Sequence, residues 1–213
     1  MRLVALIVGC LAIFALAACG SLPISQLAIA PARTPQDPRT VSLTARDLPD
    51  GLALCTVSGP IDGYLQHLQV DGSPSYEVTA AQWATMKRTG ANVAWVQSYS
   101  QTPEDCAARL GERKGPSAIS FAIRFKDASS ALSGFAGGFL GLRPEQGLVV
   151  PGLTNGLQTQ LTADAWTYDQ TDQLPPVFVA FWANRQFDLF LLTESLPAGT
   201  ARQAAADMND RVH

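Results

Sequence analysis

The side chains of this chain that can react with or ligate something are few. It has four cysteines, two histidines and a thin scatter of carboxylates in 213 residues. A tetrahedral zinc site needs about four nitrogen or sulfur ligands, usually with two of them closely spaced. Cys10, Cys19, Cys55 and Cys106 include no Cys-x-x-Cys pair, so no metal or cofactor is expected. Neither a Gly-x-Ser-x-Gly elbow nor a Ser-x-x-Lys pair occurs. His67 is the one histidine inside the chain, because His213 is its last residue. A general base needs a nucleophile within hydrogen-bond reach. The sequence offers His67 none, so it is read as a surface or partly buried residue. Glu104 and Asp105 stand at a helix start, where the helix dipole explains them. Asp207 and Asp210 share a face of the last helix and are read as solvated. No catalytic residue is expected.

Four tryptophans, Trp83, Trp95, Trp166 and Trp182, fall within residues 41–213. Their default role is core packing. The alternative is a ligand groove lined by one or two of them, with Tyr64, Tyr76 and Tyr99 adding to it.

The N-terminus carries the most specific signal. Arg2 precedes an apolar run from Leu3 to Ala18, shorter than the roughly 20 residues a spanning helix needs. The run ends in Leu16-Ala17-Ala18-Cys19-Gly20-Ser21. This resembles the lipobox of bacterial lipoproteins, with Cys19 at the position of the family's invariant cysteine. The resemblance implies a signal peptide over residues 1–18. It implies cleavage before Cys19, a diacylglyceryl group on its thiol and acylation of the new amine. Two or more chains on one residue suffice for stable membrane anchoring, where one gives only marginal binding. The alternative is an ordinary secretory signal with Cys19 left free. Gly20, not aspartate, follows the cysteine. In diderm bacteria that favours the outer membrane; in a single-membrane cell the protein would sit on the outer face of the cytoplasmic membrane.

Residues 19–40 are punctuated by Pro23, Pro31, Pro35 and Pro38. Such a stretch suits neither helix nor central strand and is expected to be a tether, reaching about 65 Å if fully extended. One globular domain is expected over residues 41–213. An exported domain meets an oxidising space. The two remaining cysteines, Cys55 and Cys106, are therefore expected to form a disulfide, the alternative being two separate buried thiols.

The hydrophobic patterning predicts strands over Leu52–Val57, Tyr64–Val70, Asn92–Ser98, Ser117–Lys126 and Ala163–Asp169. It predicts a hairpin of Val177–Trp182 with Phe187–Thr193. Helices are expected from a Thr79/Gln82 capping box to Thr89, from Thr102-Pro103, from Asp127 to Phe135, and over Thr200–Arg211. The segment from Gly134 to Gly156, with seven glycines, reads as a loop-rich excursion and matches no phosphate-binding pattern. The expected class is α+β: an antiparallel sheet with helices packed on it. The order of elements, Ile123-Arg124-Phe125-Lys126-Asp127-Ala128-Ser129 and the late hairpin resemble the PsbP/Mog1-type α/β sandwich. That family includes accessory and interaction proteins, so the resemblance implies a fold and no single activity.

The formal net charge of −3 gives no electrostatic reason to expect nucleic acid. The sequence therefore points to a lipid-anchored, extracytoplasmic, non-catalytic binding domain. Its partner would be an envelope protein or a small molecule. An envelope hydrolase with an unrecognised site and a carrier of an apolar ligand stand as alternatives.

Overall fold

The computed structural model describes residues 35–102, 104, 106, 115–140, 142 and 150–213. Cys19 and the expected signal peptide lie outside these residues. So do most of the expected tether, Asp105, most of the helix from Thr102, and residues 143–149 of the glycine-rich segment.

Two strands at the centre of the sheet set the architecture. β4 (Ser117–Phe125) and β8 (Phe187–Glu194) are buried along nearly their whole length. Their side chains alternate between two faces and both faces are apolar, so helices must cover each side. The sheet holds eight strands among the described residues, all paired antiparallel. β1 (Ala53–Leu54) and β2 (Gly59–Pro60) both lie along β3 (Ala91–Ser100). The sheet continues from β3 through β4, β8, β7 (Val177–Asn184) and β6 (Ala165–Gln170) to β5 (Leu153–Asn155). The expected hairpin is β7–β8. It turns tightly through Arg185 and Gln186, with Asn184 opposite Phe187 and Arg185 at a positive φ of 53°. With five α-helices among the described residues beside this sheet, the expected α+β class is observed.

One face is covered by α2 (Ile61–Val70), α3 (Ser75–Thr89) and α4 (Ala128–Gly137). Beneath them Phe121, Phe139, Phe181 and Phe190 interlock with ring centroids 4.7 to 5.9 Å apart. Asp127 starts α4 as expected: its carboxylate accepts from the Ser130 amide at 2.7 Å. The other face is covered by α1 (Pro38–Val41) and α5 (Ala198–Asp210). Ala201, Ala204, Ala205 and Met208 form a helical stripe that packs on Leu189, Leu191 and Trp182.

Three local expectations are corrected. Residues 64–70 are helical, within α2, where a strand was expected. Ile61, Tyr64, Leu65 and Leu68 follow the i, i+3, i+4, i+7 spacing of a helix, and this outweighs Gly63. α3 begins at Ser75, not at Thr79; Thr79 lies inside the helix, 5% exposed against the core. Ser73 and Pro74 supply the start, the Ser73 hydroxyl accepting from the Ser75 amide. The folded unit begins at Pro35, ahead of the expected Val41. Pro38 is buried, and the Gln36 amide donates to the Arg211 carbonyl at 2.7 Å. Arg211 in turn grips Asp47 through two nitrogens, at 2.8 and 2.9 Å, and donates to the Ser42 carbonyl. This clamp joins the first and last segments of the fold.

The Cys55–Cys106 disulfide is present, with Cα atoms 5.6 Å apart and a sequence separation of 51 between its partners. It ties the β1–β2 segment to the chain leaving β3. Cys55 also donates its amide to the Ser98 carbonyl at 2.8 Å.

Among the buried polar residues of the core, one carboxyl stands apart. Asp188 on β8 is fully buried, and neither carboxylate oxygen has a hydrogen-bond partner among the described residues. It faces α4 at Gly134, where an added Cβ would collide with the Phe125 ring and with Asp188 Oδ2. Burial pushes its carboxyl well above the usual carboxylate range.

Two stability measurements follow. Replacing both Cys55 and Cys106 by serine should lower the unfolding free energy by about 4 kcal/mol, the chain-entropy value for a loop of this length, as read in urea titrations. Asp188→Leu, nearly isosteric, should raise stability at neutral pH by about 1–3 kcal/mol by removing an unsatisfied buried group. The folded-state pKa of Asp188 lies above the unfolded one. Its protonated form therefore contributes fully below about pH 4, and the contribution is lost as pH rises through the folded value. Thermal melts across that window should show the variant's advantage growing with pH.

Candidate functional site

The sheet's cover is incomplete at its β5–β6 end. There α5 passes beside the strands without closing over them, and a cleft of about 650 Å³ opens. Its walls come from several separate stretches of chain. The loop before β5 contributes Pro151 and Gly152. The 3₁₀ turn after it (Gly156–Thr159) and its exit contribute Gln158, Thr159, Gln160 and Leu161. β6 and the turn that follows it give Thr167 through Gln173, with the Tyr168 side chain on the opposite face. Arg202, Ala205 and Ala206 of α5 form the far wall. Phe178 supplies the floor.

The period of two explains why these groups face the cleft. On β6 Ala165, Thr167 and Asp169 point to the α5 side, while Trp166 and Tyr168 point to the aromatic core beneath α4. Where α5 still covers the strand the residue is Ala165. Where the cover ends, the residues are Thr167 and Asp169.

Asp169 is the best-held group in the cleft. Its Oδ1 accepts from the Thr171 hydroxyl at 2.6 Å and the Thr171 amide at 3.1 Å. Its Oδ2 accepts from Arg202 Nε at 3.0 Å and also from Nη2. Partial burial opposes ionisation of Asp169. The bonds from Thr171, and then Arg202, outweigh it and hold the carboxyl below the usual range. The cleft therefore contains an ionised carboxylate whose two oxygens are already occupied. Beside it, Arg202 stays two-thirds exposed, with donors left over. The second acid, Asp172, is exposed.

Around this pair stand Gln158, Gln160 and Gln173, while Gln170 borders the cleft at the end of β6. Their side chains make no hydrogen bond with the described residues. Two backbone features shape the wall. Gly152 has a φ of +84°, and its carbonyl accepts from the Asp169 amide at 2.9 Å; a Cβ there would strike the Asp169 carbonyl. Gln160 itself adopts a left-handed conformation, φ 63°, at the end of the 3₁₀ turn. For a residue other than glycine this costs about 1 kcal/mol.

The residues singled out in the sequence lie elsewhere. His67 is exposed on α2, and it does not line the cleft. Glu104 is exposed; Asp207 accepts from Gln203 on α5 at 2.8 Å, and Asp210 is exposed at the helix end. Trp83, Trp166 and Trp182 are buried in the two cores. Trp95 is half-buried under the Arg39 guanidinium, 5.8 Å from its ring. Tyr64 and Tyr99 are core residues. No tryptophan lines the cleft, so the expected alternative of a Trp-lined groove does not describe it. An apolar hollow between α3, β4 and Phe139 measures only about 10 Å³, too small for an apolar cargo.

Sequence reasoning missed Asp169, Arg202 and the glutamines Gln158, Gln160 and Gln173. The available signal was the run Asp169-Gln170-Thr171-Asp172-Gln173 at the end of a predicted strand. By itself such a run reads as a turn. Only the fold brings Gln158, Gln160 and Arg202 beside it.

No protein-family model, curated protein or solved structure matches the chain.

Gly152→Ala tests how the wall is built. Both the positive φ and the clash with β6 oppose it, so the variant should lose about 2 kcal/mol or more of stability. Hydrogen exchange should show the loss of protection concentrated at the Asp169 amide.

Proposed function

We propose that the chain is a lipid-anchored, extracytoplasmic binding domain of the bacterial cell envelope, which holds a polar ligand in the cleft between β6 and α5. The observation that carries this reading is a cleft of ligand-binding size whose glutamine amides have no partner within the described residues. Its chemistry suits holding more than reacting. Both oxygens of Asp169 are engaged by Thr171 and Arg202, so neither is free to take a proton from a nucleophile.

Two further features support the address. Leu16-Ala17-Ala18-Cys19 resembles a lipobox, and Cys19 would carry the lipid. The Cys55–Cys106 disulfide suits an oxidising compartment. The likeness to the PsbP/Mog1-type sandwich belongs to the same proposal; an antiparallel sheet covered by helices on both faces supports it.

Cell fractionation tests the anchor. Cys19→Ser should leave the protein unprocessed, and globomycin should cause the wild-type precursor to accumulate. Normal processing of the variant would refute the anchor. Site-specific photo-crosslinking in living cells tests the cleft. A benzophenone side chain at Gln173 should give a discrete adduct that is absent when the probe is placed at Gln69 on α2. Equal labelling at both sites would refute the cleft as the binding surface.

A further inference from the structure

The groups in the cleft restrict what it can hold. Three charged side chains line it: Asp169, Asp172 and Arg202. Arg202 is already paired with Asp169, so the remaining charge is that of Asp172, and the cleft is net negative. An anionic ligand would meet two carboxylates and an arginine already engaged. A cationic ligand would find a single exposed carboxylate, screened by solvent. An apolar ligand would strip water from glutamine and threonine side chains without replacing those bonds, and each such loss costs free energy.

What remains is a ligand that is neutral and rich in groups that both donate and accept. Each glutamine amide offers two donors and an acceptor, and each threonine hydroxyl offers a donor and two acceptors. A sugar hydroxyl has the same dual character. Arg202 keeps Nη1 free, since its bonds to Asp169 run through Nε and Nη2. A planar donor is thus fixed in direction by its carboxylate partner, which suits two neighbouring hydroxyls. Phe178 and Leu161 give an apolar floor beneath these polar walls. Apolar floor and convergent polar groups together form the usual pattern of an orienting binding site.

We propose that the cleft receives a neutral glycan. This inference rests on the cleft being the binding site and adds the chemical class of its occupant. A peptide would also hydrogen-bond to the amides. Its side chains, however, call for a series of separate apolar or charged pockets along the groove; here Asp169 and Arg202 are paired with each other, Asp172 is exposed, and threonines and glutamines make up most of the remaining polar wall. Gln160 adds a second indication. Its left-handed backbone favours glycine, and a strained side chain retained at a cleft wall points to use of that side chain.

The test is a titration of the full chain, solubilised in detergent, followed by saturation-transfer NMR and calorimetry. The probes are tetra-N-acetylchitotetraose and maltotetraose, with inorganic phosphate and a neutral Gly-Ser-Gln peptide as comparisons. At least one oligosaccharide should bind saturably, and phosphate should not. Gln160→Gly relieves the backbone strain, and Gln173→Ala removes an exposed amide. Each should weaken oligosaccharide binding about tenfold; Gln173→Ala should leave the melting temperature unchanged, and Gln160→Gly should not lower it. Three results would overturn the glycan assignment: no saturable binding of either oligosaccharide at millimolar concentration, binding indifferent to both variants, or preferential binding of the peptide or of phosphate. If the Gln173 crosslink forms in cells while both oligosaccharides fail, the glycan class falls and the cleft reading stands. If the crosslink is also nonspecific, both fall.

Discussion

The rest of the fold depends on one constraint: β4 and β8 are apolar on both faces. A two-faced strand pair cannot be left to solvent on either side. It requires the helices α2, α3 and α4 over one face and α1 and α5 over the other. It also explains the clamp of Arg211 on Asp47 and Ser42. The layer holding α1 and α5 is built from the two ends of the folded unit, and those ends must be joined for the layer to stay closed. The disulfide acts at the opposite edge of the sheet, where β1 and β2 are too short to hold β3 by backbone pairing alone.

The cleft arises from the same constraint. Helical cover costs chain length, and α5 reaches only part of the way across the sheet. Along β6 the residue on the α5 side changes from Ala165 to Thr167 to Asp169 as that cover runs out. A polar cavity at the margin of an apolar layer is thus a consequence of how the sheet is covered. Its precision comes from backbone: Gly152 brings the loop within hydrogen-bond distance of β6, and Gln160 turns the chain sharply above it. Asp188 marks the opposite situation. It is a carboxyl under full cover with no hydrogen-bond partner among the described residues, at the point where α4 comes close enough to require Gly134.

Legibility from sequence followed the range of the interactions involved. The alternation over Ser117–Lys126, the Val177/Phe187 hairpin, the Asp127 cap and the last helix were readable because each is set by neighbours within a few residues. The helix at 61–70 was readable in principle from the spacing of Ile61, Tyr64, Leu65 and Leu68. The strand expected over Tyr64–Val70 starts inside that spacing and leaves out Ile61, the first residue of the helical stripe. The start of α3 was displaced because a Thr79/Gln82 pair has capping-box spacing wherever it falls. Only tertiary burial shows that Thr79 is a core residue inside the helix.

The sequence by itself determined an expectation of export and lipidation from a contiguous motif at Cys19. It also determined the α+β class from local periodicity, and the pairing of Cys55 with Cys106 once export was granted and the other two cysteines were assigned. The tertiary structure alone decided where a ligand could sit. The cleft joins residues from Pro151 to Ala206 that no window of sequence contains together. Its polarity depends on where a helix stops covering a strand. That is a property of packing between layers, and no single segment encodes it.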